Sequence, residues 1–101
     1  MKFIILFEDA PDGDPDIRKN HMAQHLDFLE RNSNKIEAAG PLSDPARMGR
    51  DGIWIVDADA EDDVDRLVKE DPFWPTGLRK SYAIIRWTQV FAKGSRLIQP
   101  T

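Results

Sequence analysis

The sequence predicts an α+β fold with the element order β-α-β-β-α-β. Three observations predict it. Short apolar runs rich in β-formers occur near both ends and in the middle of the chain, each too short for a helix. Two longer segments carry apolar residues at helical spacing. Stretches rich in Gly, Pro, Asp and Asn separate these segments.

The elements follow in order. Met1 to Asp9 holds the unbroken run Phe3 to Phe7 and reads as a strand apolar on both faces, so something must cover each side. Ala10 to Pro15 is a turn. Asp14-Pro15-Asp16 then reads as a helix start, with Asp14 as the cap, Pro15 at the first helical position and Asp16 at the positive end of the dipole. That helix is expected to end near Asn32-Ser33-Asn34. Lys35 to Leu42 is a second strand ending at Gly40-Pro41, and residues 43–51 form a Gly- and Pro-containing loop with the composition of a movable lid. Gly52 to Ala58 is a third strand, again apolar on both faces. Asp59 is expected to cap a second helix with the stripe Val64, Leu67 and Val68, stopped by Asp71-Pro72. Asp71 to Leu78 is an aromatic loop, Ser81 to Phe91 a long last strand, and residues 93–101 a tail on a single domain spanning 1–101. The order is that of the ferredoxin-like split βαβ unit, an antiparallel sheet with both helices on one face.

Composition narrows the function classes. The 101 residues carry 14 basic and 18 acidic side chains, a net charge of −4, which argues against a general nucleic-acid binder. The first apolar run is too short for a membrane span or a signal peptide, so a soluble cytoplasmic protein with no membrane partner is expected. With no cysteine, thiolate catalysis and Cys-ligated metals are excluded. Charge is uneven. Residues 1–71 hold all 18 acids and nine bases, a net −9, whereas residues 72–101 hold five bases and no acid, a net +5. The basic third either meets the acidic face of the fold or a second copy, or attracts a small anionic ligand.

Two helices cover one face of a four-stranded sheet and leave the other bare. In the first strand Phe3, Ile5 and Phe7 oppose Ile4 and Leu6, in the third Ile53 and Ile55 oppose Trp54 and Val56, and in the last Tyr82, Ile84 and Val90 oppose Ala83, Ile85, Trp87 and Phe91, so one such apolar set would be exposed. Burying about 600 Å² of such surface per subunit contributes on the order of 15 kcal/mol before ordering costs. A symmetric homodimer stacked sheet to sheet is therefore expected.

The first helix carries the chemistry. At about 100° per residue, His25 falls inside the apolar arc that includes Ile17 and Phe28, with Arg18 on the same line. A buried polar group needs a partner. His25 is either a structural histidine bonded to a carbonyl or an acid–base group in a polar cavity, since histidine titrates near neutral pH. His21 and His25 are spaced to share a metal, but no Glu follows His21 and no third ligand is evident, so neither metal nor cofactor is expected. Asp71 is either a polar helix stop or the carboxylate that orients and polarises His25.

These residues also carry a resemblance. Arg18 to Leu26 (RKNHMAQHL), Ala39-Gly40-Pro41-Leu42, and Asp71-Pro72-Phe73 with Gly77-Leu78 resemble, in order and spacing, the YCII-related proteins. The resemblance implies a dimeric α+β barrel of ferredoxin-like subunits and a catalytic His–Asp pair, here His25 and Asp71. It matches Arg18 to an arginine that often precedes that histidine. Where some members carry an aspartate after the first helix, this chain has Asn32-Ser33-Asn34. The implied function is lyase- or isomerase-like acid–base chemistry on a small oxygenated ring. Arg18 and His21 are the expected substrate-binding groups, and Trp54, Phe73, Trp74 and Trp87 are candidate aromatic walls. The alternative is a non-catalytic module that binds a small ligand or only dimerises.

Overall fold

The computed structural model describes residues 1–100. The described elements are β1 (Lys2–Asp9), α1 (Ile17–Arg31), β2 (Ile36–Pro41), β3 (Gly52–Asp57), α2 (Glu61–Glu70), a 3₁₀ turn (Trp74–Thr76), β4 (Arg79–Trp87), and a small hairpin of β5 (Phe91–Ala92) with β6 (Ser95–Arg96). The main sheet has the order β2-β3-β1-β4, and all its pairs are antiparallel. This is the α+β, ferredoxin-like arrangement.

Register explains which residues form the core. Ile5 lies between Trp54 on β3 and Ile84 on β4, and Phe3 lies opposite Val56. Directly paired residues share a face, so Phe3, Ile5, Phe7, Trp54 and Val56 all point toward the helices and are buried. Phe28 of α1 and Val64, Leu67 and Val68 of α2 close over them in one apolar cluster. Ile4, Leu6, Ile53 and Ile55 point the other way and are half-buried, while Ile85 stays 45% exposed.

Three local expectations are corrected. The last strand spans Arg79–Trp87 rather than Ser81–Phe91. The ladder with β1 ends at the pair Lys2–Trp87, and residues beyond Trp87 have no β1 partner. Residues 91–96, partly within the expected tail, fold on themselves as the hairpin, turning at Lys93-Gly94. Neither Asp14 nor Asp59 caps a helix with its side chain. Asp14 instead accepts the Asp16 amide at 2.9 Å in a turn before α1, and the N-cap of α2 is Ala60. The acids Glu61, Asp62 and Asp63 in the first turn of α2 still favour its positive dipole end.

Candidate active site

α1 presents Ile17, His25 and Phe28 inward on one stripe, and His25 is only 8% exposed. α2 ends at Asp71 because Pro72 disfavours helical geometry in the residue before it, and Asp71 is extended (φ −63°, ψ 131°). The chain then folds around the Asp71 carboxylate. The Phe73 amide donates to Asp71 Oδ1 at 3.0 Å, and the Trp74 amide donates to the Asp71 carbonyl at 2.8 Å. This turn carries the aromatic loop back over the helices and sets Asp71, 1% exposed, against α1.

His25 Nδ1 lies 2.9 Å from Asp71 Oδ1. Asp71 Oδ2 accepts Arg79 Nη1 at 2.8 Å. Both carboxylate oxygens are thus engaged by donors. Burial pushes the Asp71 carboxyl up, but the His25 and Phe73 hydrogen bonds and the Arg79 charge outweigh it, so it is held below the ordinary carboxylate value. An ionised carboxylate only accepts, so Nδ1 carries a proton, and in the neutral ring Nε2 is the acceptor. Nε2 has no hydrogen-bond partner among the described residues. The imidazole packs on Phe73, with ring centres 4.3 Å apart.

Arg79 completes the constellation. Its side chain is 6% exposed, and its guanidinium lies 4.0 Å from the centre of the Phe7 ring, a cation–π contact. Burial lowers its pKa, and the Asp71 carboxylate opposes that shift. A β-bulge places it there. Glu8 pairs with Ser81 but Asp9 pairs with Arg79, so Lys80 is the extra residue and stays exposed. Strict alternation back from Tyr82 would have turned Lys80 inward instead. Gly77, at φ +80°, supplies the left-handed turn just before this strand.

These groups surround a cavity of about 140 Å³ between α1 and the sheet. Its polar lining is Asp9, Arg18, His25 and Arg79, and its apolar walls include Phe7, Trp54 and Phe73. Gly40 and Gly52 from β2 and β3 close one side. Of the residues expected from sequence, His25, Arg18, Trp54 and Phe73 line the cavity, and Asp71 lies behind His25. Arg18 is paired with Asp9 Oδ2 at 2.6 Å. His21 and Trp74 do not line it. His21 lies in a shallow groove with Ile17, Pro72 and Pro75, one helical turn closer to the start of α1 than His25. Trp74 packs edge-on against Tyr82, ring centres 5.5 Å apart. Trp87 pairs with Lys2 on the helix-free face. Loop 43–51 is gathered by Asp44, which accepts the Ala46 amide at 3.0 Å and Arg50 Nε at 2.9 Å. Sequence reasoning missed Arg79 and Asp9 as site residues, since only the bulge brings them together.

The YCII-related domain matches over residues 1–88. The chain belongs to this family. No curated protein matches the sequence. Among solved structures, this YCII-related chain is similar to 5-chloro-2-hydroxyhydroquinone dehydrochlorinase from Burkholderia phenoliruptrix in complex with 2,5-dihydroxybenzoquinone. That match is 28% identical, with a TM-score of 0.68, and covers 87% of this chain and 94% of the dehydrochlorinase. A protein of Arabidopsis thaliana, 12% identical with a TM-score of 0.50, shares the fold over 91% of this chain and 97% of its own. A dimeric protein of unknown function with a ferredoxin-like fold, from Bacteroides fragilis, is 18% identical with a TM-score of 0.49, covering 83% of this chain and 90% of its own. No helix among the described residues is long and apolar enough to cross a membrane.

Proposed function

We propose that this YCII-related protein is a small cytoplasmic enzyme in which His25 and Asp71 perform acid–base chemistry on a small oxygenated ring. The observation that carries the reading is the 2.9 Å His25–Asp71 contact beside the cavity, with Nε2 left without a protein partner. Asp71 is pinned by two further donors and cannot swing away, so it orients the imidazole and favours the imidazolium that forms when Nε2 accepts a proton. Nε2 removes a hydroxyl proton from the ring, and the oxygen keeps the electron pair. That pair then enters the ring, which either expels a leaving group (a lyase) or takes the proton back at carbon (an isomerase). Arg18 and Arg79 supply the positive charge that an anionic or enolate oxygen needs.

Size supports a single ring. A cavity of about 150 Å³ in a protein interior holds one benzene, and this one measures about 140 Å³. Trp54 and Phe73 supply aromatic walls. The similar dehydrochlorinase acts on a chlorinated hydroxyhydroquinone and is seen with a dihydroxybenzoquinone, which makes such rings the first substrates to try. The working unit in this reading is a homodimer stacked through the helix-free face, where Ile85 is 45% exposed. The test is chloride release and ring absorbance with 5-chloro-2-hydroxyhydroquinone. His25→Asn is expected to lower turnover by about 10²–10⁴-fold with unchanged circular dichroism. Undiminished turnover in that variant removes the reading, and binding without turnover by the unaltered protein leaves the non-catalytic module in its place.

A further inference from the structure

Asp9 Oδ1 lies buried at the cavity end of β1 and has no hydrogen-bond partner among the described residues. Buried carboxylate oxygens are almost always satisfied, and each exception calls for a physical account. The rest of Asp9 is tied down. Its Oδ2 takes Arg18 Nη2 at 2.6 Å, and its amide donates to Asp51 Oδ2 at 2.8 Å. The β-bulge at Glu8/Asp9 fixes its strand position opposite Arg79. Oδ1 is therefore a pre-positioned acceptor that cannot turn to a second partner without breaking the ion pair.

We propose that Asp9 is a specificity-determining residue whose Oδ1 accepts a hydrogen bond from a hydroxyl of the bound ring. The inference rests on the cavity being a ring-binding site, and it adds a requirement. The ligand must carry a hydroxyl that stays protonated at Asp9, in addition to the one that meets His25. The favoured class is a ring with at least two hydroxyls, and a ring bearing only carbonyls or halogens leaves Oδ1 unmatched. Sites built to bond a hydroxyl reject analogues that lack it strongly, because a buried polar group is then left unpaired.

The experiment compares hydroquinone with 1,4-difluorobenzene, a ring of similar shape that donates no hydrogen bond, by NMR titration of the full chain. The unaltered protein is expected to bind hydroquinone about 100-fold more tightly, roughly tenfold for each of two bonds. In Asp9→Asn the amide oxygen must face Arg18, which only donates, so the amide NH₂ takes the place of Oδ1 and an acceptor becomes a donor. The preference is expected to fall about tenfold, with the fluorinated ring bound as before. His25→Asn is expected to remove the other factor and keep the Asp9 factor. A full preference in Asp9→Asn overturns the inference and leaves the His25 reading standing. A preference lost only in Asp9→Asn supports the inference and counts against His25. Equal binding of the two rings by the unaltered protein overturns the inference without any variant, since a water would then satisfy Oδ1 equally well.

Discussion

Replacing Asp71 with alanine tests the electrostatic centre of the molecule. The carboxylate is 1% exposed and accepts from His25 at 2.9 Å, Phe73 at 3.0 Å and Arg79 at 2.8 Å. Its loss strands three donors, one of them a guanidinium on a side chain 6% exposed. Removing one partner of a buried ion pair costs about 3–5 kcal/mol, chiefly because the other charge stays buried alone. The stranded amide and imidazole N–H groups add to this, though not additively. An expected loss of about 4 kcal/mol is a large share of the roughly 5–15 kcal/mol that stabilises a domain. With a urea slope of about 1.5 kcal/mol/M, the midpoint moves down by roughly 2.7 M. Adding Arg79→Met to Asp71→Ala removes the orphaned charge, keeps packing against Phe7, and is expected to recover part of the loss. The double-mutant cycle reads this coupling. A stability loss under about 1 kcal/mol for Asp71→Ala, or a double variant no better than the sum of its parts, refutes the reasoning.

Other outcomes follow from the same contacts. The Asp71 carboxyl is held below its ordinary value of 3.8, so its stabilising contribution is complete above that pH and is lost as pH falls through the lower folded value. An acid titration of the urea midpoint should therefore flatten in Asp71→Asn relative to the unaltered protein. Tyr82 is the one tyrosine of the chain, and its hydroxyl donates to Asp65. Burial and then that bond raise its pKa from 10.0 to about 12. Its phenolate band should appear near the upper value, and the linked stability should be complete below pH 10 and decline as pH rises toward 12. Asp65→Ala is expected to lower the midpoint without returning it to 10.0, because burial is the larger cause. Ile85→Asp puts a charge on the helix-free face and is expected to convert a dimer to single chains in sedimentation, leaving circular dichroism intact. A unaltered protein that sediments as a single chain at every concentration ends the dimer reading.

Much of this was legible in the sequence because local patterns carried it. The apolar runs at Phe3 to Phe7 and Ile53 to Val56 predict strands apolar on both faces, and the structure assigns Phe3, Ile5, Phe7, Trp54 and Val56 to the buried, helix-facing side. The position of His25 between Ile17 and Phe28 follows from helical rotation alone, and Pro72 predicts the helix end at Asp71. The meeting of His25 with Asp71 is another matter. It joins residues 46 positions apart and depends on the Phe73 amide turning the aromatic loop back, which no periodicity encodes. Arg79 was hidden by a single extra residue at Lys80, since period-two alternation assigns the wrong neighbour to the inside once a bulge intervenes. The end of the last strand lies where its ladder with β1 ends, a property of the pair and not of the strand itself. Sequence by itself determined the two helices, the four main strands and the apolar character of their faces, because those follow from side-chain size and spacing within a few residues. Only the tertiary structure decided which polar groups share the cavity, because hydrogen bonds at 2.6–2.9 Å depend on bulges and loop turns that bring distant segments into contact.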